Sequence, residues 1–316
     1  MVRDANGHQS PLLPMSCLRF ILLSILVFTV VSPNAHAASR HVLSVSGTRF
    51  LSNDQPFPYT GISFFNAIYN PAFNQSAEER QQWLTKFQKY GINVLRVWCQ
   101  WDSKLSFIDS GPENTLYDPD GRLREKPLQT LKAIITDADE AGMVIQVVLF
   151  SSESSSSAIH QSGAACDRAV AGVARELLPC RNVTIQVWNE SSDRVLDHVE
   201  TIREIDPDRL VTNSPGHAGI LGDWKQNDAL DFLTPHISRQ NAGRPWEIAP
   251  KEIAYLLALY DKPVVDDEPA RNGTSRFGGP TDATSPYDHI IQIQRVWDAG
   301  GLCQYCVSQS GRESCG

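Results

Sequence analysis

Residues 143–150 read MVIQVVLF, an apolar run broken only by Gln146. The run is too short for a free-standing helix and rich in β-branched side chains. It shows no polar alternation that would mark a wet face. It therefore reads as a strand buried on both sides, the pattern of a parallel sheet covered by helices. The flanking segments agree. Before it, Leu128, Leu131, Ile135 and Ala138 recur at helical spacing, and Gly142 ends that helix. After it come a serine-rich loop, 151–157, and a helix carrying Val170, Val173 and Leu177.

Working outward, the same strand-helix alternation continues in both directions. A first strand spans Tyr59–Phe65. Its helix opens at Ser76 with Glu79 three residues on, a capping-box pattern, and places Trp83, Phe87 and Tyr90 on one face. The second strand is Asn93–Trp98, the third is the opening run, and the fourth is Val183–Trp188, followed by a helix with Val195, Val199 and Ile202. A fifth strand is expected over Arg209–Thr212, with a short helix near Trp224. The sixth is expected over Phe232–Ile237, followed by a helix with Ile253, Leu256, Leu257 and Tyr260. The seventh is Pro263–Asp267. Ser285 then caps a helix that starts with Pro286 and carries Ile290, Ile293 and Trp297, and the eighth strand is Leu302–Val307. His41–Gly61 reads as a preceding β-hairpin turning near Asn53-Asp54. Eight interleaved strands predict an α/β fold, a (β/α)8 TIM barrel with an N-terminal β-hairpin. Its final helix is expected to be short or missing, so that either the hairpin and tail cover that flank or the barrel is a truncated one.

The 316 residues are 41% hydrophobic and 20% charged, enough for one such domain. A net charge of −8 excludes the basic footprint of a nucleic-acid binder. No Gly-rich phosphate loop follows the first strand, so no dinucleotide or nucleotide cofactor is expected. Phe20–Val31 is apolar but short for a membrane span, and Ala35-His36-Ala37 offers a small-x-small cleavage site. Residues 1–37 are thus expected to be a signal peptide and 38–316 the mature domain, secreted or periplasmic and free of the membrane. Export permits disulfides. Cys166 and Cys180 bracket one helix and are candidates for a local bridge, while Cys303 and Cys306 are assigned a structural role.

Two glutamates carry the chemistry. Glu190 ends the fourth strand in Val187-Trp188-Asn189-Glu190, and Glu268 ends the seventh in Asp266-Asp267-Glu268-Pro269. In a barrel, active sites form at the C-terminal ends of the strands. Strands four and seven face each other there, and glycoside hydrolysis needs two carboxyls flanking one bond. On these residues and on the order of elements from about Phe57 to Ser308, the chain resembles the retaining (β/α)8 glycosidases, glycoside hydrolase family 5 with its cellulases and β-mannanases in particular. The resemblance implies Glu190 as acid/base and Glu268 as nucleophile. It implies Asn189 on the sugar 2-hydroxyl, Arg96 holding the nucleophile ionised, and His236 in the site, with a polysaccharide or oligosaccharide of β-glucan or β-mannan type as substrate. The chain departs from that family at four places. Phe150-Ser151-Ser152 replaces a histidine after strand three, Ser238 replaces a tyrosine, Tyr305-Cys306-Val307-Ser308 lacks the usual strand-eight tryptophan, and Ser191 replaces the proline after the acid/base.

Trp98 and Trp101 are the expected aromatic platforms for sugar rings, Trp101 foremost because Gln100 and Asp102 flank it. Phe64, Tyr69 and Trp188 are further candidates. Asp266 and Asp267 crowd Glu268, but no His or Cys is spaced to complete a metal site with them, so no metal is expected. The rival reading from another class is a barrel that binds carbohydrate without turnover.

Overall fold

Two tight turns build the N-terminal sheet. Leu43–Ser46 (β1) and Arg49–Ser52 (β2) pair antiparallel around Gly47, whose φ of 53° suits a two-residue turn. Asn53 and Asp54 then take φ of 49° and 62°, and Gln55–Pro56 (β3) pairs back on β2. The expected hairpin is thus a three-stranded meander. The computed structural model describes residues 39–102, 110–152, 154, 163–215, 222–237, 244–269 and 285–306, within the unit Ala37–Gly316. The expected signal peptide lies outside the described residues.

The strand-helix alternation follows. Thr60–Ser63 (β4) precedes Ala77–Lys89 (α1), and Val94–Trp98 (β5) precedes Glu125–Glu140 (α2). Val144–Ser151 (β6) precedes Gly163–Leu177 (α3), Val183–Asn189 (β7) precedes Val195–Ile205 (α4), and Val211–Ser214 (β8) precedes Trp224–Ala229 (α5). Pro245–Tyr260 (α6) leads to Val265–Asp266 (β9), and Pro286–Asp298 (α7) leads to Leu302–Cys306 (β10). These strands form one parallel sheet in the order β8-β7-β6-β5-β4-β10-β9. The pairing of β10 with β4 joins the last strand to the first. Between edge strands β8 and β9 runs the segment 231–237. Asp231 N–H donates to Val211 O at 3.0 Å, and Val265 N–H donates to Leu233 O at 2.8 Å. The wall therefore curls as in a TIM barrel.

The expected sixth strand corresponds to that segment, and it forms a single bridge, Leu233 to Val264, rather than a strand. Pro235 has no N–H to offer a ladder. Side chains hold the segment instead: the Thr212 hydroxyl donates to Phe232 O at 2.7 Å, and the Asp231 carboxylate accepts from Val211 N–H at 2.8 Å. The fifth strand starts two residues later than expected. Arg209 serves as an anchor rather than a strand residue, binding the carbonyls of Leu177, Cys180 and Val183 and the Asp206 carboxylate.

Helix starts follow their caps. Ser76 accepts from Glu79 N–H, and Ser285 and Asp288 form a reciprocal capping box. The expected apolar faces of α2 and α4 are buried as read. That of α7 holds only at Ile293, which packs against the core: Ile290 and Trp297 are exposed, while Val296 and Gln292 face inward. The candidate Cys166–Cys180 bridge is not formed. Eleven helical residues put Leu177 roughly 16 Å from Cys166, and the three-residue step on to Cys180 does not bring the two thiols together.

Strand alternation sorts the core into two layers. Leu95, Val97, Ile145, Val147, Ile185 and Val187 face the helices. Val94 and Val144 face inward near the strand starts, where they meet Tyr59, Phe232 and Val265. Leu43 and Phe50 of the meander plug that end, and Phe50 stacks on Tyr59 with ring centroids 4.9 Å apart. The meander therefore caps the floor of the barrel rather than its flank. Phe50→Ala removes a fully buried ring and should lower stability by roughly 3–5 kcal/mol, measured by urea unfolding. A loss below about 1 kcal/mol would mean the plug is not part of the core.

Candidate active site

Above the apolar floor the barrel interior turns polar. Arg96 projects inward from the middle of β5 and is 0% exposed. Its Nε donates to Gln186 Oε1 at 2.9 Å, and its Nη2 donates to Asn189 Oδ1 at 2.7 Å. The same Nη2 lies 3.3 Å from Asp267 Oδ2. The Ser214 hydroxyl donates to that carboxylate oxygen at 2.8 Å. Gln186 Nε2 donates to Ser214 Oγ at 2.8 Å, and Gln146 Nε2 donates to Gln186 Oε1 at 2.6 Å. Tyr59 closes the chain from below by donating to Gln146 Oε1. Gly61 makes room for Gln304, whose Oε1 also lies 3.3 Å from the Tyr59 hydroxyl, since a Cβ at Gly61 would meet Gln304 Cγ at 2.7 Å. Burial pushes the Asp267 carboxyl above its ordinary range. Arg96 and His236 pull it back down, and Glu268 pushes it further up.

At the mouth, β7 ends at buried Asn189, and Glu190 turns into the left-handed region with φ of 59°. A non-glycine residue in that conformation stores roughly 1–2 kcal/mol of strain. Glu268 emerges just after β9. His236, on the segment that stands for strand six, lies between them. Its Nδ1 is 3.1 Å from Glu190 Oε1 and 3.1 Å from Glu268 Oε2. Its Nε2 faces Asp267 Oδ1 at 3.7 Å. One oxygen of each glutamate and the imidazole nitrogen all lie within 4.8 Å of one another. The side chains of His236 and Glu268 are 5% and 8% exposed, and that of Glu190 is 20% exposed, so the cluster meets solvent on its Glu190 side.

Five residues singled out in the sequence therefore converge: Glu190, Glu268, Arg96, Asn189 and His236. The ion pair differs in one detail. Arg96 meets Asp267 rather than Glu268, because Asp267 is the residue that turns into the barrel after β9. Asp267 and Ser214 were not singled out as partners of Arg96. The presence of an arginine inside an apolar strand was the one signal that such a partner had to exist. His236 also supplies the histidine that linear spacing did not place beside the acidic cluster.

The aromatic expectations fare differently. Trp98 and Trp101 are both buried, and Trp101 stacks on Phe65 at 5.5 Å with rings 6° from parallel. Trp98 packs edge-on to Phe65 and lies 5.5 Å from the Arg96 guanidinium. They form one wall beside the polar cluster, with Phe65 as a member the sequence did not single out. Phe64 points the other way, into the outer core with Phe73 and Trp83. Trp188 joins that outer core too. The Tyr69 hydroxyl donates to Cys99 O at 2.6 Å. Burial pushes the Cys99 thiol up to about 12, which leaves it inert.

No protein-family model matches the chain, and no curated protein matches it in sequence. Solved structures match its fold. A glycoside hydrolase family 5 protein from Bacteroides vulgatus aligns with TM-score 0.61 at 17% identity, over 84% of this chain and 61% of its own. A second Bacteroides vulgatus protein, glycosidase-like, aligns at 0.63 and 18% identity, over 86% of this chain and 56% of its own. This chain thus spans little more than half the length of these two. The endo-1,4-beta-mannanase of Rhizomucor miehei aligns at 0.58 and 14% identity, over 84% of this chain and 90% of its own. The fold is that of the family 5 type glycosidase barrels.

The buried pair of Arg96 and Asp267 yields a paired expectation. Arg96→Met strands a buried carboxylate and should cost about 3–5 kcal/mol. Asp267→Asn keeps an acceptor for Ser214 and Arg96 but leaves the buried guanidinium without its counter-charge, and should cost a similar amount. Urea unfolding of both variants reads the losses, and a loss below about 1 kcal/mol in either would contradict the pairing.

Proposed function

We propose that the chain is a secreted retaining β-glycosidase acting on a β-glucan or β-mannan type polysaccharide or oligosaccharide. The observation that carries this reading is the approach of Glu190 and Glu268, whose nearest ligand oxygens lie within 4.8 Å at the ends of β7 and β9. Retaining enzymes hold their carboxyls about 5–5.5 Å apart, whereas inverting enzymes leave about 6.5–9.5 Å for a water molecule. The fold supports the reading, and the β-mannanases among the similar structures support the choice of substrate class. The N-terminal apolar segment supports export.

In this reading the Glu268 carboxylate attacks the anomeric carbon while Glu190 gives its proton to the departing glycosidic oxygen. A water molecule then attacks the glycosyl-Glu268 ester, placing its hydroxyl on the sugar and its proton on Glu190. Two carboxylates this close favour a singly protonated pair, because like charges disfavour double ionisation. His236 can donate from Nδ1 to one of them at a time, which suits a pair that exchanges roles. Asn189 Oδ1 is engaged by Arg96, so its amide nitrogen is the half that donates to the sugar 2-hydroxyl. Arg96 acts on the site by positioning Asn189 and Asp267.

The test is hydrolysis of a panel of β-glucans, β-mannans and aryl β-glycosides. Glu190→Ala should lose roughly 10²–10⁴-fold, and Glu268→Ala should lose activity and regain it with azide, giving a glycosyl azide of inverted configuration. A folded wild type that cleaves nothing in the panel yet binds a glycan would favour the binding barrel, a reading to which Ser151, in place of a strand-three histidine, also points.

A further inference from the structure

The geometry around His236 fits more than a proton. A neutral imidazole nitrogen offers either one N–H or one lone pair, so it satisfies one carboxylate at a time. Here Nδ1 has two carboxylate oxygens at the same 3.1 Å. A tetrahedral zinc ion with bonds of about 2.0–2.2 Å holds its donor atoms roughly 3.3–3.5 Å apart. Two of the three edges are already near that value, and the Glu190–Glu268 edge, within 4.8 Å, closes by a small side-chain rotation.

A second, independent feature lies behind the histidine. Metal-bound imidazoles almost always have a carboxylate, carbonyl or water on the far ring nitrogen, which fixes the tautomer and the ring plane. His236 Nε2 faces Asp267 Oδ1 at 3.7 Å, an electrostatic contact just beyond hydrogen-bond distance. That carboxylate is itself held by the Ser214 hydroxyl and by Arg96. The order carboxylate, imidazole, then a pair of convergent carboxylates is therefore built into the fold. With three protein donors on one side, the partly exposed Glu190 side leaves room for a fourth, exchangeable ligand. The imidazole selects a zinc-like transition metal over magnesium or calcium, which prefer all-oxygen shells.

We propose that Glu190 Oε1, His236 Nδ1 and Glu268 Oε2 form a binding site for a single divalent transition-metal ion, with Asp267 orienting the imidazole. The proposal stands apart from the glycosidase reading. Where both hold, the ion engages the two carboxylates that the sugar reaction needs, so ion and substrate exclude each other.

The experiment is calorimetric titration of zinc chloride into chelator-treated protein, read without any glycan, so its outcome is independent of whether a glycan is cleaved. Wild type should bind one ion. His236→Ala and Glu268→Gln, checked for folding by circular dichroism, should each bind at least about tenfold more weakly. Asp267→Asn, which leaves the three donors in place, should weaken binding by about 10–100-fold. Cobalt in place of zinc should give a spectrum of nitrogen and oxygen ligation without a thiolate charge-transfer band, which separates this site from the cysteines. Absence of saturable zinc binding to wild type would overturn the proposal. So would undiminished binding in folded His236→Ala, or in Asp267→Asn should the alanine variant not fold.

Discussion

A guanidinium with no access to water governs the interior of this barrel. Taking a guanidinium out of water is tolerable only if its N–H groups find partners. Arg96 finds them on strands that are distant in sequence: Gln186 and Asn189 of β7 and Asp267 beyond β9. Satisfying one side chain thus fixes how the β7 and β9 ends sit across the mouth. Glu190 and Glu268 are each the next residue after one of these partners. The constraint that folds the middle of the barrel is therefore also the one that brings the two carboxylates together.

The polar layer above and the apolar layer below divide the labour. The floor, plugged by Leu43 and Phe50, supplies burial without demanding hydrogen bonds. The layer above is rich in glutamines whose amides both donate and accept, which suits a chain of contacts running from Tyr59 to Asp267. At the rim the backbone accepts strain: Glu190 takes a left-handed conformation that its neighbours in β7 do not. Such strain persists where surrounding contacts over-determine the site, and it is commonest at functional positions.

Much of this was legible in the sequence, and the reasons are specific. The strands β5, β6 and β7 are buried on both faces, so their apolar runs stand out without any knowledge of partners. Caps at Ser76 and Ser285 read correctly because capping is local chemistry. The sixth strand did not read correctly, because Pro235 and side-chain hydrogen bonds replace the ladder that a strand pattern assumes. The face of α7 was misread because periodicity reports which residues share a side and not which neighbour covers it. In the site, Glu190, Glu268 and Asn189 were visible as types at strand ends, Arg96 as a charge inside an apolar strand, and His236 on the segment read as strand six. The pairing of Arg96 with Asp267 instead of Glu268 was not, since it depends on which of two adjacent acids turns into the barrel. The inward packing of Trp101 on Phe65 was hidden for a similar reason: polar neighbours in sequence do not set the direction of a ring.

The central claim is that Glu190 and Glu268 act on one glycosidic bond from opposite sides at a separation too small to seat a water molecule. The stereochemistry of the first product tests it most directly. Proton nuclear magnetic resonance during the first minutes of hydrolysis distinguishes the anomer released by the enzyme from the one that later mutarotation produces. The geometry predicts that a β-linked substrate gives the β-anomer first, with configuration retained. Initial release of the α-anomer would mean inversion, and would contradict the account of the two carboxylates.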